Sequence, residues 1–264
     1  MYRKINFEVM TDTQHCYETI PELVEAVKWS IAHQVMVAEE DNIDQPIPDK
    51  VNTKYIVSGK RSFEAAKDYV GKKVAVLNYA NNFSIGGAPY SAGAQEESLC
   101  RCSTLLPCLQ AMKKPFYSKH YQQAHNHEID FMGNNDLIYT PDVVVFKSDL
   151  RTDPVYPLML DRNEWYKVNV ITCAAPQMFR AKTLPSNYEE VIRGRIKKIL
   201  DIAAKEKNEV VILGAWGCGA FKNPVEIIAK LFVEEVKKYD FEIVEFALAS
   251  RNDVSSSAFA RALR

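Results

Sequence analysis

The chain lacks most of the features that mark membrane, secreted and nucleic-acid-binding proteins. It contains no apolar run of about 18 residues, and its first residues lack the apolar core of a signal peptide. Lys and Arg number 33 against 34 Asp and Glu, so no global basic field exists to hold a nucleic-acid backbone. We therefore expect a soluble, cytoplasmic, monomeric protein that has no membrane attachment and does not bind nucleic acids in general.

Cysteine is sparse and scattered over the chain. The six cysteines lie at positions 16, 100, 102, 108, 173 and 218. Disulfide frameworks belong mainly to small secreted domains, so we expect reduced thiols that are buried or half-buried. Cys100 and Cys102 form a Cys-x-Cys pair, but neither a Cys-x2-Cys pair nor a matching distant half is present. This spacing disfavours a structural zinc site.

The size and composition fit one large globular domain, or one domain with an extension. The chain has 264 residues, of which 47% are hydrophobic and 25% are charged. Residues 1–50 differ in character from the rest. Apolar residues at three- and four-residue steps predict an amphipathic helix over residues 19–39, and the proline-containing residues 41–50 are typical of a loop. We expect an accessory helical segment over residues 1–50 and the main domain over residues 51–264.

Short apolar runs alternate with helical patterns in the main domain. Runs typical of buried strands occupy residues 74–80, 143–146, 168–173, 210–213 and 241–248. Helices are predicted over residues 95–106, where Pro107 ends or bends the helix, over residues 188–205, and from Asn223 as N-cap with Pro224 at the first position. This alternation predicts an α/β fold with a mixed or mainly parallel sheet, in which ligands bind beyond the carboxyl ends of the strands.

A glycine-bearing loop and two adjacent carboxylates follow the first of these strands. The order is Gly86-Gly87-Ala88, six residues, and then Gln95-Glu96-Glu97. Glycines let the backbone approach a ligand, and adjacent carboxylates are costly unless one is protonated, hydrogen-bonded or used. Each feature alone is common in turns and at helix starts. Together they favour a site that holds a sugar-phosphate and breaks a glycosidic bond.

Polar residues near this loop and a second glycine loop add to the candidate site. The amides of Asn81 and Asn82 can hydrogen-bond sugar hydroxyls as donor and acceptor. Residues 214–223 follow another buried strand and contain three glycines, which suits a loop whose backbone N–H groups surround a diphosphate. Phe221 at its end can cover a base or a ribose. The loop matches neither the Walker pattern nor Gly-x-Gly-x-x-Gly.

Residues 78–101 resemble the signature of poly(ADP-ribose) glycohydrolases, particularly the microbial type built on a macrodomain. That signature is three glycines, six to eight residues, and then Gln-Glu-Glu. Residues 139–146, 170–176 and 214–223 also resemble the family, in matching order. The resemblance spans roughly residues 74–249, and its double-acid signature is specific. Residues 1–50 match much less clearly.

The resemblance implies a macrodomain-like three-layer α/β/α sandwich with a mixed central sheet, here with an N-terminal helical extension, and ADP-ribose across its crest. It implies that Glu97 is the catalytic acid, that Glu96 helps to hold the ribose, and that Phe221 covers it. The other implied ligand-binding positions are Asn81, Asn82, Gly86, Gly87, Ala88, Gln95, Gly217, Cys218, Gly219 and Ala220.

Two departures from the signature concern the glycine loop. Ala88 stands where the family has its third glycine, and Ile85 stands where microbial members often have proline. If position 88 needs a positive φ, alanine costs about 1–2 kcal/mol there, and its methyl group would crowd the ribose or a phosphate.

The expected reaction is hydrolysis of O-glycosidic ADP-ribose linkages on ADP-ribosylated macromolecules, by glutamate general acid/base catalysis without a metal or cofactor. Two alternatives stay open. One is an ADP-ribose-binding macrodomain that is non-catalytic or specific for mono-ADP-ribose. The other is a metal-dependent hydrolase that uses His120, His125 and His127. Those histidines lie in a polar run that is more typical of a solvated surface loop.

Overall fold

The computed structural model describes residues 2–148, 158–249 and 254–264. Its α-helices are α1 (Tyr2–Thr19), α2 (Pro21–His33), α3 (Ser62–Lys67), α4 (Gln95–Cys102), α5 (Leu105–Ala111), α6 (Lys119–His125), α7 (Tyr188–Lys205), α8 (Val225–Val236) and α9 (Val254–Ala262). Its strands are β1 (Val35–Val37), β2 (Lys54–Ser58), β3 (Val74–Ala80), β4 (Leu137–Val145), β5 (Tyr166–Ala174), β6 (Val210–Leu213) and β7 (Ile243–Ala247). Among the described helices, none is long and apolar enough to cross a membrane.

The strands of the described residues form one mixed sheet in the order β1-β4-β5-β3-β6-β7-β2. Strands β5, β3, β6, β7 and β2 are parallel to one another, whereas β4 runs antiparallel to both of its neighbours. The carboxyl ends of the parallel strands therefore meet at one edge of the sheet, where α/β proteins bind ligands. The predicted α/β class with a mixed sheet is confirmed.

Successive residues of the central strand β3 point to opposite faces of the sheet, and nearly all of them are buried. Helices therefore cover both faces. Ala75 and Leu77 of β3 belong to the core cluster that includes α7 and α8, whereas Val74 and Val76 belong to the cluster that includes α1, α2, α4 and α5. In α7, one stripe of isoleucines faces the sheet, and each buried isoleucine contributes about 1.5–3 kcal/mol. The result is the three-layer sandwich that the macrodomain-like prediction described.

The elements predicted from apolar runs are present. The five predicted strands correspond to β3, β4, β5, β6 and β7, and the helix predicted over residues 188–205 is α7. Strand β4 begins earlier than predicted, because Leu137–Thr140 also pairs with β5. The register then shifts between Thr140 and Val143, where Asp142 has a φ of 53°.

The predicted bounds of the N-terminal helix were wrong. A first helix, α1, precedes it, and α2 begins with Pro21 at the first helical position after an extended Ile20. The helix ends at His33, and Val35–Val37 pairs antiparallel with β4, where β-branched valines fit the pleated surface. The division of the chain at residue 50 stays a prediction.

Two other predicted helix boundaries were wrong. The helix predicted over residues 95–106 is two helices, since Ser103 is extended and bridges Val145. Pro107 lies in the first turn of α5, where its missing N–H is not needed, so it does not end a helix. The N-cap of α8 is Pro224 and not Asn223.

The histidine run is not a solvated loop. Residues 119–125 form α6, and His120 is 1% exposed, with its ring nitrogens 2.8 Å from the Phe116 carbonyl oxygen and 2.7 Å from Asn134 Oδ1. His125 and His127 are exposed, as predicted. In the part of the chain that the structure describes, no group of three His, Cys, Asp or Glu side chains is placed to hold a metal ion.

The cysteines are free thiols, as predicted. Five of them are buried, and Cys218 is half-buried. Burial raises the pKa of Cys173 and Cys218 to about 12, so both remain protonated near neutral pH. They act as small packing residues.

Candidate active site

A cleft of about 420 Å³ lies at the carboxyl ends of β3 and β6. It is bounded by residues 81–94, which we call the first loop, by the start of α4, and by residues 214–223, the second loop. The sheet thus brings together the two glycine loops that the sequence singled out. The lining residues are Tyr79, Asn81, Gly87, Ala94, Gln95, Glu96, Glu97, Ala215, Gly217, Cys218, Gly219, Ala220, Phe221 and Ser255.

Glu96 is a buried carboxyl group at the floor of the cleft. It is 3% exposed, and its two oxygens accept hydrogen bonds from the Asn81 N–H at 2.8 Å and from Asn78 Nδ2 at 3.3 Å. Burial raises the pKa of Glu96 to about 8, and the neighbouring Glu97 charge adds to the rise, although both hydrogen bonds act against it. Glu96 is therefore mainly neutral at pH 7.

Asn78 orients Glu96 and was not among the predicted site residues. It is fully buried on β3, and its Nδ2 also donates to Thr172 Oγ1 on β5 at 3.2 Å. Its Oδ1 is buried without a hydrogen-bond partner in the described ranges. The sequence signal was present, because an asparagine inside the apolar run Val74–Ala80 needs a polar partner in the core.

Glu97 has one fixed oxygen and one available oxygen. It is 8% exposed, and its Oε1 accepts a hydrogen bond from the Ala88 N–H at 3.1 Å. Its Oε2 is buried and has no hydrogen-bond partner among the residues that the structure describes. A buried carboxyl oxygen without a partner is costly, so this atom is a candidate for contact with a ligand.

Gly87 makes room for both carboxyl groups. Its φ is 67°, and an added Cβ would lie 2.3 Å from Glu97 Oε1 and 3.2 Å from Glu96 Oε2. Gly86 also has a positive φ, 65°, and a Cβ there would meet the Leu106 side chain at 2.8 Å. Both glycines are thus required by conformation and by space.

Ala88 fits its position without backbone strain. Unlike the two preceding glycines, it does not have a positive φ, so the cost that alanine would have in the left-handed region does not arise. Its side chain is exposed, and its N–H holds Glu97. The departure from the glycine signature therefore leaves the loop geometry intact.

Gln95 lines the cleft, but its polar atoms are used within the protein. Its Oε1 accepts from the Tyr79 N–H at 2.9 Å, and its Nε2 donates to the Leu77 carbonyl at 2.7 Å and to Ser62 Oγ at 3.0 Å. These bonds fix the first residue of α4 against β3. The two glutamates that follow are thereby held at the end of the strand.

The two asparagines after β3 lie at different depths. Asn81 lines the cleft, and its Oδ1 accepts from the N–H groups of Phe83 and Ser84, which closes the start of the first loop. Asn82 is 6% exposed, its Oδ1 accepts from Gln177 Nε2 at 3.4 Å, and it is absent from the lining of the cleft. The structure therefore brings Asn81, and not Asn82, to the cavity surface.

The second loop is held in place by hydrogen bonds on the side away from the cleft. Trp216 is fully buried and donates through its indole N–H to the Cys173 carbonyl at 2.9 Å. Gly217 has a φ of 74°, and its carbonyl accepts from Asn223 Nδ2 at 3.0 Å. Gly219 and Ala220 are exposed at the cleft surface. The loop therefore presents its backbone to the cavity on a rigid base.

Phe221 forms the rim of the cleft together with a second aromatic residue. It is half-buried, and its ring centroid lies 6.3 Å from that of Phe179. The Phe179 N–H donates to the Phe221 carbonyl at 3.1 Å, and the Phe179 side chain is 53% exposed. Phe221 is thus the aromatic residue of the second loop that lines the cleft, and Phe179 lies beside it outside the lining.

A second cavity, of about 210 Å³, adjoins the cleft. The two share the residues Tyr79, Ala94, Gln95, Ala215 and Ser255. Away from the carboxyl groups, the second cavity is bounded by Arg61, Ser62 and the residues after β7. Together the two cavities form an elongated site that suits an extended ligand.

Comparison with a protein family identifies the chain. Residues 10–148 match the family model of the microbial-type PARG catalytic domain, PARG being poly(ADP-ribose) glycohydrolase. The chain belongs to the microbial-type PARG family. It is therefore a hydrolase of the glycosidase type, as the resemblance in residues 78–101 implied. Among curated proteins, none has a sequence that matches this chain.

Solved PARG structures resemble the whole chain. The poly(ADP-ribose) glycohydrolase of Thermomonospora curvata is 26% identical with a TM-score of 0.83, and the match covers 97% of this chain and 98% of that chain. The same enzyme bound to the inhibitor ADP-HPD gives a TM-score of 0.82 at 26% identity over the same shares. The enzyme of Deinococcus radiodurans in complex with ADP-ribose is 27% identical with a TM-score of 0.76, over 90% of this chain and 96% of that chain.

Proposed function

We propose that this PARG-family chain hydrolyses O-glycosidic ADP-ribose linkages in the cleft, with Glu97 as the general acid and base. The available oxygen of Glu97 carries the proposal. The Glu97 side chain lines the cleft, and its Oε1 accepts a hydrogen bond from the Ala88 N–H. Its Oε2 is buried and has no hydrogen-bond partner among the described residues. A carboxyl group held in this way can give a proton to a leaving oxygen and later take one from water.

The reaction needs one proton that leaves Glu97 and returns to it. Protonated Glu97 donates to the leaving oxygen as the bond from that oxygen to C1″ breaks, which leaves an oxocarbenium-like ribose and a carboxylate. The carboxylate then accepts a proton from water while the water oxygen bonds to C1″. Because burial raises the pKa of Glu96 to about 8, the adjacent group stays mainly neutral and does not oppose the negative charge that forms on Glu97.

The rest of the site fits ADP-ribose. Gly87 lines the cleft on one side and residues 217–220 line it on the other, where the N–H groups of Gly217, Gly219 and Ala220 can bind the diphosphate. Phe221 then covers the distal ribose. The adjoining second cavity is the extension of the cleft that receives the adenosine half. Related enzymes form complexes with ADP-ribose and with the inhibitor ADP-HPD, which supports ADP-ribose as the class of ligand.

Glu97→Gln tests the proposal. The amide keeps the shape of the side chain and loses the transferable proton, so we expect kcat to fall by roughly 10²–10⁴ while ADP-ribose binding by calorimetry is kept. Release of ADP-ribose is measured on both poly- and mono-ADP-ribosylated protein.

A matched control for this variant is Glu245→Gln. Glu245 is also buried, at 2% exposure, but it lies on β7 and accepts from the Tyr69 hydroxyl instead of facing the cleft. Its turnover should equal that of the wild type. Wild-type turnover in Glu97→Gln would remove Glu97 from the mechanism, and a wild type that binds ADP-ribose without releasing it would favour the non-catalytic alternative.

We also propose that the protein acts in the cytoplasm as a monomer on ADP-ribosylated macromolecules, with residues 51–264 as the catalytic domain and residues 1–50 as an accessory segment. The net charge of −1 supports the absence of general nucleic-acid binding. The acid/base route needs no metal or cofactor, so full activity in EDTA is expected. Light scattering checks the monomer.

A further inference from the structure

The backbone N–H that holds Glu97 belongs to a tight turn. The N–H groups of Ser91 and Ala92 donate to the Ala88 carbonyl at 2.9 and 2.8 Å. We call residues 88–92 the support turn. Because the N–H and the carbonyl of Ala88 are both committed, a displacement of the support turn moves the donor away from Glu97.

Arg101 ties the support turn to the helix that carries the glutamates. It lies four residues after Glu97 on α4 and is 2% exposed. Its Nη1 donates to the carbonyls of Pro89 and Ala92, each at 2.7 Å. Because the two N–H groups of this one nitrogen point in different directions, the two bonds together fix the positions of both carbonyls relative to α4.

Helix α1 ties the same turn from the other side. Asn6 is 8% exposed, and its Nδ2 donates to the carbonyls of Ser91 at 3.2 Å and Ala92 at 3.0 Å. The Tyr90 hydroxyl donates to Gln14 Oε1 at 2.6 Å. Two side chains of α1 therefore contact a turn that is more than 70 residues away in the sequence.

The helix α1 is itself firmly anchored. Met10 is fully buried in the core cluster that includes Leu99 of α4. The buried Lys147 ammonium donates to Thr13 Oγ1 at 2.8 Å and to Asp12 Oδ2 at 2.6 Å. Since α1 is fixed to the core, the position of Asn6 determines where the carbonyls of the support turn lie.

We propose that α1 positions the catalytic loop, with Asn6 as a positioning residue that sets the Ala88 N–H against Glu97. The inference rests on the proposed function and deepens it, because it gives residues 2–19 a part in turnover as well as in folding. Asn6 does not contact the reacting atoms. It acts through Ser91 and Ala92 on the support turn, which begins at Ala88.

The test compares Asn6→Leu with a control variant in the same N-terminal segment. Leucine removes the donor at similar volume, and the loss of both hydrogen bonds to the turn should lower kcat roughly tenfold with a much smaller change in KM. Ser30→Ala is the control, since Ser30 is also fully buried and its Oγ donates to a backbone carbonyl, that of Asp142, away from the cleft. It should keep the wild-type kcat.

Tyr90→Phe provides a milder second variant in case Asn6→Leu does not fold. It deletes one hydroxyl of a partly exposed side chain, and we expect kcat to fall about two- to fourfold. Wild-type kcat in folded Asn6→Leu and in Tyr90→Phe, or an equal loss in Ser30→Ala, would overturn the inference. Glu97→Gln in the same assay separates the two proposals: if it is inactive while Asn6→Leu is fully active, only the positioning role fails.

Discussion

The two glycine loops of the cleft follow parallel strands at the same sheet edge, yet they need glycine for different reasons. In the first loop, the missing side chain of Gly87 leaves space for a carboxyl group that lines the cleft, since a Cβ would meet Glu97 Oε1 at 2.3 Å. In the second loop, the missing side chain of Gly217 leaves space for packing, since a Cβ would meet the Ala175 Cβ at 2.4 Å. A glycine-rich loop therefore does not by itself indicate a reactive site. What matters is which neighbouring atom occupies the space that a glycine side chain would have filled.

The largest effect in this comparison is expected from Gly87→Ala. The new methyl group must displace the Glu97 carboxylate, and a misplacement of about 1 Å can lower the rate about 100-fold. We expect at least that loss of kcat for ADP-ribose release. The control is Gly194→Ala on α7, outside both cavities, where an added Cβ would have only Asn135 Nδ2 within 4 Å, at 3.9 Å, and φ is not positive. Equal rates for both variants would mean that Gly87 is not held against the carboxylate.

Gly217→Ala should act mainly on stability. The residue has a φ of 74°, and the new Cβ would also lie 2.6 Å from Asn223 Nδ2, so we expect the free energy of unfolding to fall by roughly 2–4 kcal/mol. Urea denaturation measures it. Gly219→Ala in the same loop, with nothing within 4 Å, should stay within about 0.5 kcal/mol of the wild type. A Gly217→Ala protein as stable as Gly219→Ala would contradict the packing role.

The smallest of the three effects, measured as a change in the free energy of unfolding per pH unit, is expected from Glu96→Gln. The pKa of Glu96 is raised from 4.5 to about 8 in the folded protein, so between these values the folded protein keeps a proton that the unfolded chain releases. The stabilisation is present below pH 4.5 and is lost as pH rises towards 8, by at most about 1.4 kcal/mol per pH unit. Glutamine does not titrate, so the variant should lack this slope in urea denaturation between pH 5 and 8. If the free energy of unfolding changed with pH in the same way for the variant and the wild type, burial would not be raising the pKa of Glu96.

The parts of the fold that could be predicted are those where local pattern and burial agree. The runs that became β3 and β6 are apolar at nearly every position, and α7 repeats isoleucine on one face. Strands β1 and β2 were missed, because one has three residues and the other is a partly exposed edge strand. The polar composition of residues 119–125 led to a wrong prediction, because His120 is buried with its ring nitrogens paired to the Phe116 carbonyl and to Asn134.

The pair of glutamates could be singled out from the sequence, because Glu96 and Glu97 follow Gly87 by nine and ten residues. The residues that surround the two glutamates could not be predicted from the sequence. The contact between Asn78 and Thr172 depends on the pairing of β3 with β5, and Asn6 reaches the first loop only because α1 packs beside α4. Neither arrangement has a local pattern in the sequence.

The burial of Trp216 gives the protein an internal optical reporter. It is fully buried under the second loop, with its indole N–H on the Cys173 carbonyl, whereas Trp29 on α2 is 44% exposed. The short-wavelength part of the tryptophan emission therefore comes mainly from Trp216 beneath the cleft, whereas the partly exposed Trp165 and Trp29 contribute at longer wavelength. Occupancy of the cleft can be followed by fluorescence in the unlabelled protein, including in variants too slow for turnover to be detected.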